Sequence, residues 1–228
     1  MTPPTLPAAV LWDMDGTLVN TEPYWIASEI ELAERDGGHW THEDGLTLVG
    51  NDLRYSAAQL RARAGIRGSD EEIIDDLLRL VIAKARTEGA PWRPGALDLL
   101  TALRAAGIPC ALVTMSYRSL ADVILEHLPV GTFSAVITGD MVAMGKPHPE
   151  PYLTAAGALL VRPQDCVAIE DSRAGIASAE AAGVHTLGVE FFQRIEAAPG
   201  RSRAHSLERI GIDELRRIAA GEVIDEYA

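Results

Sequence analysis

Downstream of residue 91, short apolar runs alternate with segments in which apolar residues recur at helical spacing. The apolar runs predict strands at 108–113, 135–137, 166–169 and 184–189, and the segments between them predict helices at 95–107, 116–128, 150–160 and 172–182. This alternation is typical of βαβ units, which build a mainly parallel sheet covered by helices on both faces. A further apolar run at 8–12 predicts another strand of the same sheet.

The segment between the first strand and residue 91 contains helical patterns only. Four helices are predicted there, starting near Thr21, Thr41, Asp52 and Ser69, with Gly50 closing the second. The fold class is therefore α/β, a Rossmann-like, mainly parallel sheet core with an inserted helical cap domain. We predict the catalytic core at 1–17 and 91–228 and the four-helix cap at 18–90. After the last βαβ unit we expect a surface loop at 191–203, an edge strand at 204–210 and a helix at 212–220.

The composition indicates a globular protein and restricts its partners. The 228 residues are 47% hydrophobic and carry a formal net charge of −13, so nucleic acid and anionic membranes are not expected as partners. The sequence shows neither the roughly 20 consecutive apolar residues that span a bilayer nor a signal-peptide pattern, and we expect a cytoplasmic location. A small phosphate ester remains a possible partner, provided that a local cation offsets the acidic field.

Polar residues follow the predicted strands at the points where they end. Asp13 and Asp15 follow the first strand, and in an extended chain their side chains point to the same side. Thr114 follows the second strand, and Glu170 and Asp171 end a later one. Ligands of parallel sheets bind at the carboxyl ends of the strands, so these residues are expected to meet in one crevice. The alternative is that the aspartates only form turns at strand ends.

Four segments in this order resemble the motifs of the haloacid dehalogenase superfamily, phosphatase branch. They are Asp-Met-Asp-Gly-Thr from Asp13, Val-Thr-Met-Ser around Thr114, Gly-Lys-Pro around Lys146 and Ile-Glu-Asp-Ser around Asp171. The helical insertion after the first motif is similar to that of the β-phosphoglucomutase-like subfamily. Without this context, a solvated surface position would explain Lys146 as well as a position in the site.

The resemblance implies a role for each matched residue. Asp13 would be the nucleophile, Asp15 the general acid/base, Thr114 a hydrogen-bond donor to the phosphoryl group, and Lys146 its cationic clamp. Mg²⁺ would be held by the carboxylates of Asp13 and Asp171 and the backbone carbonyl of Asp15, with Glu170 as a further ligand, direct or through water. The expected reaction is Mg²⁺-dependent hydrolysis of a small phosphorylated metabolite through an aspartyl-phosphate on Asp13.

Two alternatives remain open. A phosphosugar mutase of the β-phosphoglucomutase type would use a cap arginine shortly after a glycine such as Gly50, and Arg54 is a possible match. A receiver-like signalling module also combines acidic residues, a hydroxyl and a lysine on an α/β sheet, but a lid over the site would obstruct a signalling surface. The sequence names neither the substrate nor the oligomeric state.

Overall fold

The structure is a computed structural model, and it describes residues 6–49 and 51–228. Its sheet contains six strands in the order β3-β2-β1-β4-β5-β6, and every pair of neighbours is parallel. The strands are β1 (Ala9–Trp12), β2 (Cys110–Val113), β3 (Ala135–Ile137), β4 (Cys166–Glu170), β5 (His185–Val189) and β6 (Arg201–Ala204). The α/β prediction with a parallel sheet is confirmed.

Five helices accompany the strands in residues 96–228, all of which the structure describes. They are α5 (Ala96–Ala105), α6 (Arg118–Leu125), α7 (Glu150–Ala158), α8 (Arg173–Ala181) and α9 (Ile212–Ala219), with 3-10 turns at Gly139–Met141, Pro163–Asp165 and Leu207–Arg209. The side chain of Ser172 caps α8 by accepting a hydrogen bond from the backbone N–H of Gly175. Ser172 immediately follows Asp171, so the cap also fixes where strand β4 ends and its polar residues begin.

The core lies around the central strands. Every residue of β1, β2 and β4 is buried, as expected for parallel strands covered on both faces. Leu11, Val113 and Ala168 of these strands belong to one apolar cluster with Tyr152 and Ala155 of α7. This packing holds the carboxyl ends of β1, β2 and β4 at fixed positions. No helix in the described part of the chain is long and apolar enough to cross a membrane.

The chain divides into two compact units. The sheet unit contains Met1–Val19, Trp92–Tyr117 and Leu128–Ala228, and the helical unit contains Asn20–Pro91 together with Arg118–His127. This division assigns α6 to the helical unit, whereas the sequence-based boundaries assigned it to the core. Those boundaries, at 17 and 90, remain a prediction.

In its described residues before 91, the helical unit contains four helices, and all but the first begin at a side-chain cap. They are α1 (Glu22–Arg35), α2 (His42–Leu46), α3 (Leu53–Gln59), continued by a π-helical turn at Leu60–Ala64, and α4 (Asp70–Glu88). Thr41, Asp52 and Ser69 each accept a hydrogen bond from a backbone N–H of the first turn that follows them, as their sequence context predicts. The predicted stop at Gly50 lies outside the described residues.

The last strand differs from the prediction. Strand β6 is Arg201–Ala204, whose first three residues fall in the segment predicted as loop, and 207–209 forms a 3-10 turn where an edge strand was expected. The strand was missed because two of its four residues are arginines. The guanidinium of Arg203 is nevertheless buried, since it donates to the carboxylate of Asp225 at 2.7 Å and to the carbonyl of Ile195 at 3.0 Å.

The C-terminal segment pairs with this strand. The N–H of Arg203 donates to the carbonyl of Ile224 at 2.7 Å, and the N–H of Glu226 donates to the carbonyl of Arg203 at 3.1 Å. Arg203 and Asp225 thereby form a parallel bridge. Residues 224–226 therefore cover the outer edge of β6.

Candidate active site

The loop that follows β1 turns sharply at Gly16. The φ angle of Gly16 is +96°, which side chains of L-residues rarely allow, and a Cβ at this position would overlap the carboxylate of Asp171. The N–H of Gly16 donates to the carbonyl of Val19 at 2.7 Å and closes the turn. Glycine is required here because the loop after β1 and the end of β4 are in direct contact.

Lys146 connects two of the carboxylates. Its Nζ donates to Asp13 Oδ1 at 2.6 Å, to Glu170 Oε1 at 2.5 Å and to the backbone carbonyl of Val113 at 2.8 Å. Its side chain is only 5% exposed. Burial lowers the pKa of Lys146, but the charges of Asp13 and Glu170 outweigh burial and raise it above its ordinary value, so the ammonium stays charged. All three of its protons are engaged by these partners.

Glu170 is fixed by four protein donors. Its Oε1 accepts hydrogen bonds from Lys146 and from the hydroxyl of Tyr152, the latter at 2.8 Å. Its Oε2 accepts from the N–H of Ser172 at 3.3 Å and from the hydroxyl of Ser172 at 3.0 Å. A Cβ on Gly175 would overlap this carboxylate. Glu170 is fully buried, so its orientation is set by the protein alone.

Asp171 is the third buried carboxylate. Its Oδ1 accepts a hydrogen bond from the hydroxyl of Thr17 at 3.1 Å. Burial, and then the negative charges of Asp13 and Glu170, raise the pKa of Asp171 well above its ordinary value. The same causes, burial and then the charge of Glu170, raise the pKa of Asp13 from 3.8 to about 7, although Lys146 opposes this. The three carboxylates repel one another, and one lysine does not neutralise them.

These three carboxylates have the composition of a cation site. One oxygen from each of Asp13, Glu170 and Asp171 can be chosen so that all lie within 4.8 Å of one another. Asp13 Oδ2 is buried and has no hydrogen-bond partner among the described residues. Hard divalent cations such as Mg²⁺ prefer carboxylate oxygens, and a cation would remove both the repulsion and the unsatisfied oxygen. The residues present therefore fit a divalent cation.

Asp15 lies beside this cluster and contacts β2. Its Oδ2 accepts hydrogen bonds from the hydroxyl of Ser116 at 2.7 Å and from the hydroxyl of Thr114 at 3.2 Å. Thr114 Oγ1 in turn accepts from the N–H of Ser116 at 3.0 Å. The Thr114 hydroxyl, expected to donate to a phosphoryl group, donates to Asp15 in this structure.

The structure brings all six sequence-predicted site residues to one edge of the sheet. They are Asp13, Asp15, Thr114, Lys146, Glu170 and Asp171. Sequence reasoning did not identify Thr17, Ser116 and Tyr152 as parts of the site. Ser116 stands two residues after Thr114, so its spacing carried a usable signal, whereas Tyr152 belongs to an apolar helix face and carried none.

In a phosphoryl-transfer enzyme, the strand ends of a parallel α/β sheet hold such a group: three carboxylates with a buried lysine, and a further aspartate beside two hydroxyls. The family described as haloacid dehalogenase-like hydrolase matches residues 10–189. The chain belongs to this family, and the predicted superfamily and its phosphatase branch are confirmed.

Individual relatives agree with this assignment. The chain is 34% identical over 183 residues to hexitol phosphatase A of Escherichia coli K12, covering 78% of this chain and 81% of the relative. CbbY from Rhodobacter sphaeroides in complex with phosphate is similar with a TM-score of 0.80 and 27% identity, covering 91% and 97%. β-Phosphoglucomutase from Clostridium difficile shares the fold with a TM-score of 0.79 at 20% identity, covering 95% and 98%.

Proposed function

We propose that this enzyme hydrolyses small organic phosphate monoesters through an aspartyl-phosphate on Asp13, with Mg²⁺ as cofactor. The observation that carries the proposal is the state of the Asp13 carboxylate. Its Oδ1 accepts a hydrogen bond from Lys146, while its buried Oδ2 has no hydrogen-bond partner in the described part of the chain. A carboxylate oriented through one oxygen, with the other not engaged by protein donors, has the requirements of a nucleophile.

Lys146 reduces the negative charge of the nucleophile. Attack of a carboxylate on a phosphate ester needs relief of anion repulsion, and the Lys146 ammonium lies between Asp13 and Glu170. To clamp a phosphoryl oxygen as well, Lys146 exchanges one of its three hydrogen bonds, and the neutral carbonyl of Val113 is the weakest competitor.

Asp15 acts as general acid and then as general base. In the first step Asp13 attacks phosphorus, the bond to the ester oxygen breaks, and Asp15 transfers a proton to that oxygen. In the second step Asp15 takes a proton from water, whose oxygen attacks the aspartyl-phosphate and releases phosphate and free Asp13. Ser116 and Thr114 orient Asp15 by donating to its Oδ2, and Thr114 turns to the phosphoryl group when substrate is bound.

The cation would be held by the carboxylates of Asp13 and Asp171 and the backbone carbonyl of Asp15, with Glu170 next to them. When bound, Mg²⁺ supplies positive charge that offsets the carboxylates and the transferred phosphoryl oxygens. Glu170 already accepts four hydrogen bonds from the protein, which favours the outer of its two predicted roles, contact through water.

Substrate selection is assigned to the helical unit, because all the proposed catalytic residues lie in the sheet unit. The mutase alternative gains no support from Arg54. Its guanidinium is paired with Glu71 at 2.9 Å, and both side chains are more than half exposed. The signalling alternative would require slow loss of phosphate, so rapid Mg²⁺-dependent turnover of an aryl phosphate separates it from an enzyme.

Two variants test the proposed roles of the aspartates. Asp15→Asn keeps an oxygen for Ser116 and Thr114 but removes the proton carrier, so steady-state hydrolysis should fall about 10²- to 10⁴-fold. With an activated aryl phosphate the leaving group needs little protonation, and Asp13 is still phosphorylated. Intact-protein mass spectrometry should then detect a phosphate adduct on Asp15→Asn and none on Asp13→Asn. A similar adduct on Asp13→Asn would place the nucleophile elsewhere.

A further inference from the structure

Arg93 is anchored between two segments that border the candidate site. Its backbone N–H donates to the carbonyl of Leu18 at 3.0 Å, in the loop that follows β1 and carries the aspartates. Its Nη2 donates to the carbonyl of Glu190 at 3.4 Å, immediately after β5. Strand β4 lies between β1 and β5 and leads into Asp171. Arg93 therefore spans the end of β4, next to the carboxylate cluster.

The guanidinium of Arg93 is poorly compensated. It offers five N–H donors, of which the structure engages one, in the long bond to Glu190. Its Nε is buried without a partner, and no carboxylate of the described residues lies within ion-pair distance. The Nε of Arg203 is likewise buried without a partner, but the partly buried guanidinium groups of Arg201 and Arg203 are each paired with a carboxylate at 2.7 Å, which that of Arg93 is not.

Stacking fixes the orientation of this unpaired cation. The guanidinium carbon lies 3.7 Å from the centroid of the Phe191 ring, so one face of the group is covered. Burial lowers the pKa of Arg93, and the charge of Asp171 acts in the opposite direction. Arg93 is only partly buried, so it loses part of its hydration without gaining a carboxylate partner, and an anionic group of a ligand would supply the missing negative charge.

We propose that Arg93 binds a second anionic group of the substrate, a carboxylate or a phosphate, while the scissile phosphate occupies the Asp13 site. The planar guanidinium fork fits either group through two parallel hydrogen bonds. This inference rests on the proposed function and narrows its substrate class. The preferred substrates are phosphate monoesters whose organic part carries another negative charge, and neutral polyol phosphates bind more weakly.

Binding without turnover tests the proposal separately from hydrolysis. Calorimetry on Asp13→Asn in Mg²⁺ compares 2-phosphoglycolate with 2-hydroxyethyl phosphate, and propane-1,3-diol bisphosphate with 3-hydroxypropyl phosphate. Each pair differs only in the second anionic group, and the two pairs distinguish a carboxylate from a phosphate. Adding Arg93→Gln should weaken binding of the preferred ligand with two anionic groups about 10- to 100-fold. The affinity for the matched ligand without the second anionic group should change less than about twofold.

Arg162→Gln is the matched control. Arg162 is exposed, pairs with Asp165 and precedes the opposite end of β4, so its loss removes the same charge from the sheet unit away from the site. It should leave the preference intact. Arg93→Lys keeps the charge but not the fork, and it should retain part of the preference. It also serves as the test variant if Arg93→Gln does not fold.

Three results would overturn the proposal. They are equal affinity of Asp13→Asn for both members of each pair, a preference that is undiminished when Arg93 is replaced by Gln or by Lys, and an equal loss of affinity for ligands with and without the second anionic group. The last result would show that Arg93 has a structural role, fixing the segment after β5 through its bond to Glu190. Failure of the proposed hydrolysis would be seen separately, as absent Mg²⁺-dependent turnover in the wild type, without affecting these binding comparisons.

Discussion

At the scale of single residues, the site depends on groups that hold the acidic side chains and do not themselves react. Glu170 is the clearest case, because three side chains and one backbone N–H fix a carboxylate that is fully buried. Lys146 donates to both Glu170 and Asp13, so any rotation of Glu170 also moves the Lys146 ammonium that contacts the proposed nucleophile, Asp13. The orientation of Glu170 is therefore coupled to the reactivity of Asp13.

Tyr152→Phe tests this coupling. The change removes the 2.8 Å hydrogen bond to Glu170 without altering the packing of the ring. Leaving a buried charged acceptor short of one donor costs roughly 1.5–3 kcal/mol, so kcat/KM should fall about tenfold or more. Tyr227→Phe, which removes a 3.4 Å bond to Ala204, is the control and should keep wild-type kcat/KM. Unchanged kinetics in Tyr152→Phe would show that Lys146 and Ser172 hold Glu170 without help.

At the scale of secondary-structure elements, α1 carries a buried carboxylate that takes no part in the proposed reaction. Glu29 is 4% exposed, and its Oε2 accepts a hydrogen bond from Trp40 Nε1 at 3.0 Å. Burial raises its pKa from 4.5 to about 7, although the bond from Trp40 opposes the shift. Glu29 is therefore protonated in the folded protein at pH values where it is ionised in the unfolded chain.

The resulting pH dependence has a defined sign. Between about pH 4.5 and 7 the folded state binds more protons at Glu29 than the unfolded state, so this residue makes stability fall as pH rises. A shift from 4.5 to about 7 corresponds to at most about 3 kcal/mol. The unfolding free energy of the wild type should therefore decrease relative to that of Glu29→Gln between pH 5 and 8.

Chemical denaturation at pH 5 and pH 8 measures this difference. Glu34→Gln changes an exposed glutamate of the same helix and serves as the control, for which no comparable pH-dependent gap is expected. A difference in unfolding free energy between wild type and Glu29→Gln that stays constant from pH 5 to 8 would contradict the prediction.

At the scale of the whole molecule, cation removal is the simplest perturbation. Excess chelator should abolish hydrolysis, and Mg²⁺ should restore it, because three buried carboxylates lie close together and Lys146 pairs with only two of them. Ca²⁺ should not restore activity, since it prefers longer bonds and more ligands than Mg²⁺. Mg²⁺ should also raise the thermal unfolding midpoint of the wild type, and less so for Asp171→Asn. Full turnover in excess chelator would exclude a metal-dependent reaction.

Some elements of the fold and of the acidic site were predictable from sequence, and others were not. Buried parallel strands consist of consecutive apolar residues, so the sequence predicted β1, β2 and β4 together with the polar residues that follow them. Strand β6 was not, because Arg203 is buried only through Asp225 and Ile195, which are distant in sequence. The partners of Lys146, and the lack of a carboxylate partner for Arg93 among the described residues, depend on tertiary distances that no local pattern carries.

The pairing of residues 224–226 with β6 has a consequence for solubility. An unpaired outer strand presents backbone donors and acceptors to other molecules and promotes edge-to-edge aggregation. Here the C-terminal segment occupies that position through its bonds to Arg203. Deleting residues 222–228 should therefore increase self-association, measured by light scattering, whereas deleting Ala228 alone should not. If the longer deletion remained monodisperse, the charges of Arg201 and Arg203 would suffice to protect the sheet from assembly into larger particles.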